Sequence, residues 1–110
     1  MITINVVTDY SDTPGARHVY EGPFSGEDFR EVLLKPKFIE ATESKKKLVI
    51  NLDGGYGYPT SFLEEAFGGL ARLFGSKIVL DTIELISEDE PAIIDEIKSY
   101  IKEAKYEGQP

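Results

Sequence analysis

The sequence predicts an α/β fold: a single domain with a mixed sheet of four to five strands and helices packed largely on one side. Three observations carry that expectation. Short apolar runs at Ile2 to Thr8 and Leu48 to Leu52 have strand character, and segments of helical periodicity separate them. A helix long enough for a crossover connection then joins Leu48 to Leu52 to a further strand at Lys77 to Ile86, which is the pattern of a right-handed βαβ unit. The chain has 110 residues, enough for one core and one domain over 1–110.

Taken in order, Ile2, Ile4 and Val6 alternate with Thr3, Asn5 and Val7, which predicts the first strand. Pro14-Gly15 fits the central positions of a type II turn, and a short second strand at Arg17 to Tyr20 returns to pair with the first. Ser25 and Asp28 have capping-box spacing ahead of Phe29, Val32 and Leu33. Pro36 predicts a break near Leu34 and Lys35, followed by a second helical piece over Lys37 to Thr42. Lys45 to Lys47 form a solvated connector. After Leu48 to Leu52 comes a helix whose stripes carry Phe62, Ala66 and Leu73 beside Leu63, Phe67, Leu70 and Phe74. Gly68-Gly69 inside it costs ~1 kcal/mol per glycine relative to alanine, offset by close packing of the helix on the sheet. The last helix starts near Ser87 to Pro91 and turns Ile93, Ile94, Ile97 and Ile101 inward, and the tail Tyr106 to Pro110 frays.

Composition narrows the function classes. A formal net charge of −8 repels a phosphate backbone or an anionic bilayer, so neither nucleic acid nor membrane is an expected partner. No apolar run approaches the roughly 20 residues that span a bilayer, and the N-terminus lacks signal-peptide character, which predicts a cytoplasmic protein. With no cysteine and one histidine, His18, the chain offers no disulfide, thiolate or imidazole-built zinc site, and no metal or cofactor is expected.

The candidate working surface is the turn Asp53 to Pro59 together with the helix start at Thr60 and Ser61. A glycine-rich strand-to-helix turn exposes backbone donors at the positive end of a helix, as in a phosphate cradle. The turn lacks both the GK[ST] ending of a P-loop and the G-x-G-x-x-G spacing of a dinucleotide site, which favours a plain tight turn. Ser61 and Glu64 fit a capping box, leaving Thr60 as a solvent-facing, modifiable hydroxyl without a base near it in sequence. Glu64 and Glu65 point about 100° apart on a helix and read as a solvated face. Tyr56 and Tyr58 have the character of contact residues as much as of loop anchors, and His18 reads as an ordinary surface histidine.

The run Ile50 to Leu63 resembles the central segment of STAS domains, the fold of bacterial anti-sigma-factor antagonists. In that family an apolar strand with an Asp leads through a short loop to Asp-Ser-Ser-Gly-Leu at a helix start. Asn51 falls at the strand Asp, Pro59 at the motif Asp, Thr60 at the phosphorylated Ser, Ser61 at the second Ser, Phe62 at the Gly and Leu63 at the Leu. Over most of its length the chain is more similar still to a bacterial family of STAS-like domains of uncharacterised function, through TPGAR (Thr13 to Arg17), EGPFSGEDFR (Glu21 to Arg30) and GYPTSFLEEAFGGL (Gly57 to Leu70). The resemblance implies a STAS-like, non-enzymatic regulatory module in bacterial signal transduction. On that resemblance it is expected to bind a protein, a histidine-kinase-like ATPase or anti-sigma-type kinase, with phosphorylation of Thr60, or of Ser61 as the second candidate, gating the contact. The expected contact residues are Gly54, Gly55, Tyr56, Gly57, Tyr58, Pro59, Thr60, Ser61, Glu64 and Glu65. The alternative is a small-ligand or nucleotide-binding domain using the same turn and helix N-terminus, and a hydrolytic enzyme ranks third.

Overall fold

The computed structural model describes residues 2–107. Three strands, β1 (Ile2–Asn5), β2 (Leu48–Asn51) and β3 (Ile83–Ile86), form one sheet in the order β1-β2-β3, and both pairings are parallel. This corrects the expected mixed sheet of four to five strands. The register places Ile2, Leu48 and Ile83 on one row and Ile4, Ile50 and Leu85 on the next, all on the face that meets the core. The opposite face carries the row Thr3, Val49 and Glu84, in which a buried valine lies between two exposed residues.

The missing strands have local causes. β1 stops at Asn5 because the chain winds into a helical turn, Val6–Asp9, whose Asp9 carboxylate accepts the Asn5 N–H at 2.7 Å. At Arg17 to Tyr20 the backbone is already committed elsewhere. Gly26 and Glu27 donate to the carbonyls of Ala16 and Arg17, each at 2.9 Å, and Val19–Glu21 forms a 3₁₀ turn instead of a strand. Gly15 has no positive φ, so Pro14-Gly15 is not a type II turn. A Cβ there would lie 2.4 Å from the Pro23 carbonyl oxygen, which is why glycine occupies it. The expected strand Lys77 to Ile86 begins instead as a helix, Ser76–Thr82, in which Lys77 and Asp81 pair at 2.8 Å one turn apart and Val79 turns into the core. Burial has overridden strand propensity there.

The first long helix runs unbroken over 26–44. Ser25 caps it, its Oγ accepting the Asp28 N–H at 3.0 Å, but the Asp28 carboxylate does not complete the box: it accepts the Tyr10 hydroxyl at 2.6 Å. The break expected at Pro36 is absent because Arg30–Leu34 forms a π-turn. Lys35 bonds the Arg30 carbonyl five residues back, and the widened turn accommodates a ring that has no N–H to give. The buried positions therefore step by five, from Phe29 to Leu34, and Val32, expected inward, is 59 % exposed. The central helix, 60–74, has the same device at Glu64–Gly68. It buries Phe62, Leu63, Ala66, Phe67, Leu70 and Ala71, while Leu73, expected in the buried stripe, reaches the surface.

Phe29 of the first helix packs against Phe62 and Phe67 of the central one, with ring centroids 5.6 and 6.4 Å apart. The C-terminal helix, Ala92–Glu103, adds Ile93, Ile97 and Ile101 to the core. Part of the tail expected to fray is held, since Glu107 donates its N–H to the Arg72 carbonyl at 2.7 Å; residues 108–110 lie outside the described ones. Among the described residues no helix is long and apolar enough to cross a membrane.

The two long helices approach closely at Gly26, where a Cβ would lie 2.4 Å from the Phe62 carbonyl oxygen. Backbone cannot yield as a flexible side chain does. Gly26→Ala is therefore expected to destabilise the domain by about 1–3 kcal/mol, although alanine is the better helix former. Urea unfolding of both chains checks it, and equal midpoints would show that the crossing is not as close as this.

Candidate functional site

The turn after β2 is a rigid presentation of exposed atoms. Gly54 and Gly57 have φ of +99° and +119°, the region only glycine enters freely. Asp53 locks the turn to the loop that follows β3: its two carboxylate oxygens accept the N–H groups of Asp89 and Glu88 at 2.8 and 3.0 Å, and Gly54 donates to the Asp89 carboxylate at 3.0 Å. Asn51 accepts the Asp53 N–H at 2.9 Å, and the Tyr58 hydroxyl reaches back to the Leu52 carbonyl at 2.8 Å. Burial, with the Asp53 charge, pushes the Tyr58 hydroxyl up to about 12, so it remains a donor at physiological pH. Tyr56 projects from this frame, 86 % exposed.

Pro59 is the N-cap of the central helix, and no side chain caps it, so the expected Ser61–Glu64 capping box is absent. Thr60 is exposed and Ser61 half-buried in the first turn. His18 is bonded to Glu27 at 3.3 Å and stacks on Tyr20. Among the described residues no hydrogen bond links it to Thr60 or Ser61.

Glu64 and Glu65 do not form the expected solvated face. The chain's three arginines, Arg17, Arg30 and Arg72, all converge on them. Glu64 is held by Arg17 and by Arg72, the latter at 2.7 Å. Glu65, its side chain 13 % exposed, meets Arg30 at 2.8 Å and Arg17 at 3.3 Å. Arg30 also donates to the Glu65 main-chain carbonyl at 2.7 Å, within the π-turn. The glycine pair makes the space. A Cβ on Gly69 would lie 2.4 Å from the Arg30 guanidinium, and one on Gly68 would lie 2.8 Å from the Glu64 carboxylate. The offset for two glycines in a helix is thus seated ion pairs, not helix-on-sheet contact.

A sequence profile for the STAS-like domain of unknown function (DUF4325) matches residues 25–92. The chain belongs to this family. No curated protein and no solved structure matches it. The matched stretch of the STAS-like domain holds β2, the glycine-rich turn, both long helices and β3, and so contains every candidate contact residue from Gly54 to Glu65.

Within the STAS-like domain the structure divides the candidate residues into two groups. Gly54 to Thr60 form an exposed edge except for half-buried Tyr58, while Glu64 and Glu65 belong to the arginine network one turn further along the helix. The arginines themselves escaped the sequence reading. Their signal lay in the spacing Glu64, Gly68, Arg72, which places a carboxylate, a gap and a guanidinium on one helix face.

Burial alone pushes the Glu65 carboxyl up, but the hydrogen bonds and charges of Arg30 and Arg17 outweigh it, and the group titrates below the ordinary 4.5. Glu64 is lowered in the same way, burial being overcome by Arg72 and Arg17. A depressed folded value stabilises the fold above the unfolded value, and that contribution is lost as pH falls through the folded one. Stability should therefore fall as pH drops below the ordinary 4.5, and Glu65→Gln should make that fall shallower. Urea unfolding across this range measures the slope, and equal slopes in the two chains would contradict the assignment.

Proposed function

We propose that this STAS-like domain is a non-enzymatic protein-binding module that docks its partner on the turn and first helical residues, Gly54 to Ser61, and that modification of Thr60 gates the contact. The exposure of Tyr56 carries the reading. A large aromatic ring held in solvent by a turn that is itself fastened at Asp53 is in position to bury area on a partner at little entropic cost. Thr60 is exposed and caps nothing, and its hydroxyl lies beside that of Tyr100, so modification there removes no helix cap. A phosphate there brings bulk and about two hydrated charges into the contact area, beside Glu64, and both hold a partner off. The partner class implied by the STAS resemblance is a histidine-kinase-like ATPase or anti-sigma-type kinase.

The small-ligand alternative has less support. The cleft beside the turn encloses about 140 Å³, below the roughly 300 Å³ at which ligand pockets begin. Asp89 and Glu90 line it, and the strand order β1-β2-β3 never reverses to open a crevice of the dinucleotide type. ATP and GTP with magnesium are expected to bind no tighter than about millimolar. Calorimetry returning a micromolar constant would move the assignment to a nucleotide-binding domain.

The docking reading is tested by affinity purification of the tagged domain from its native cells. Tyr56→Ala and Thr60→Glu should each lower the yield of captured partner at least about tenfold, or about 1.4 kcal/mol. Thr60→Ala should capture normally and unfold within about 0.5 kcal/mol of the native chain, since no cap is lost. Undiminished capture by both Tyr56→Ala and Thr60→Glu would overturn the assignment.

A further inference from the structure

We propose that the cleft at the carboxyl ends of β2 and β3 is a slot for one arginine side chain of the partner. The inference rests on the docking surface described above and specifies the chemistry of its occupant. Leu52 and Ile93, both buried, line it together with Tyr56, Tyr58 and the exposed acidic residues Asp89 and Glu90, the Asp89 carboxylate also accepting the Gly54 N–H. Its volume of about 140 Å³ is too small for a cofactor and of the order of a single long side chain. Aromatic faces beside carboxylates attract a cation, and the planar, weakly hydrated guanidinium stacks on rings better than an ammonium does.

The surrounding charge points the same way. Asp12, Asp53 and Glu88 adjoin the cleft. The Asp12 carbonyl accepts the Tyr56 N–H at 3.4 Å, and Asp53 binds the backbone of the neighbouring loop. Among the described residues none of these carboxylates, nor Asp89 or Glu90, lies within ion-pair distance of a lysine or arginine. The negative field here is not neutralised internally, in a chain whose net charge is −8. A second copy of the chain does not suit the slot. All three of its arginines are engaged at Glu64 and Glu65, and two copies repel. The occupant is an arginine on a basic segment of a different protein.

The probe is N-acetyl-arginine methylamide, titrated into the full chain while amide resonances are followed by NMR. The lysine and citrulline analogues, the latter a neutral isostere of arginine, run in parallel. The expected result is saturable shifts confined to the turn at 54–58 and the loop at 87–91, with a dissociation constant of about millimolar. Lysine should bind several-fold more weakly, and citrulline should not saturate. The double variant Asp89→Asn, Glu90→Gln should lose binding at least about tenfold, whereas Glu84→Gln, an exposed carboxylate on the open sheet face, should bind as the native chain does. Unchanged melting temperatures show that the variants remain folded. Shifts spread over the whole acidic surface, equal binding of citrulline, or undiminished binding by the double variant would each overturn the slot. If Tyr56→Ala abolishes partner capture while the arginine probe fails to bind, the docking surface stands and the arginine slot alone is wrong.

Discussion

Two adjacent glutamates hold together segments that are far apart in the chain. Glu64 and Glu65 tie the early loop at Arg17, the first long helix at Arg30 and their own helix at Arg72. The segment after the C-terminal helix reaches the same place through the bond from Glu107 to the Arg72 carbonyl. A small sheet of three short strands fixes little of this by itself. The angle between the two long helices is set where Gly26 meets the Phe62 carbonyl and where Arg30 lies on Gly69. Arginine suits that duty better than lysine, because a planar fork can serve a side-chain carboxylate and a main-chain carbonyl at once, as Arg30 does at Glu65.

Such a network does not add stability in proportion to its bonds. Partly buried charges lose hydration, and their mutual attraction repays that loss only with good geometry. Its stronger effect is on specificity, since a shifted helix register would leave Glu65, Arg30 and the π-turn carbonyl without partners. The two π-turns belong to the same constraint. Each inserts an extra residue into a helix turn, one where Pro36 cannot donate and the other where Glu64 and Glu65 must both face the arginines. Adjacent residues in a regular α-helix diverge by about 100°; here Arg17 reaches both carboxylates, while Arg72 bonds Glu64 and Arg30 bonds Glu65.

What was legible in the sequence follows from how local its causes are. The apolar runs at Ile2 and Leu48, the Ser25 cap and the isoleucine stripe of the C-terminal helix are short-range signals, and they reappear in the structure. Arg17 to Tyr20 is not a strand because Ala16 and Arg17 give their carbonyls to the next helix, a tertiary commitment that local propensity does not encode. Pro36 failed to break its helix for a related reason: burial of Leu34 and Phe38 on one face favours a widened turn over a lost one. At the site, the exposed turn was readable from its glycines. The engagement of Glu64 and Glu65 was not, since two of their three arginines lie more than thirty residues away.

The rigid and the accessible parts of the domain meet on one helix. Its second turn is fastened by three arginines, its first turn has no side-chain cap, and the loop before it is clamped at Asp53. Gly54 to Ser61 is thus held at both ends while its outward groups, Tyr56 and Thr60 among them, remain exposed. On the proposed docking reading, a surface of that kind loses little freedom when a partner arrives, so more of the burial energy appears as affinity. The same anchoring confines the effect of a charge placed on Thr60. On the same proposed reading, Thr60 caps nothing in the helix behind it, so the effect of the charge falls on a partner docked against the turn.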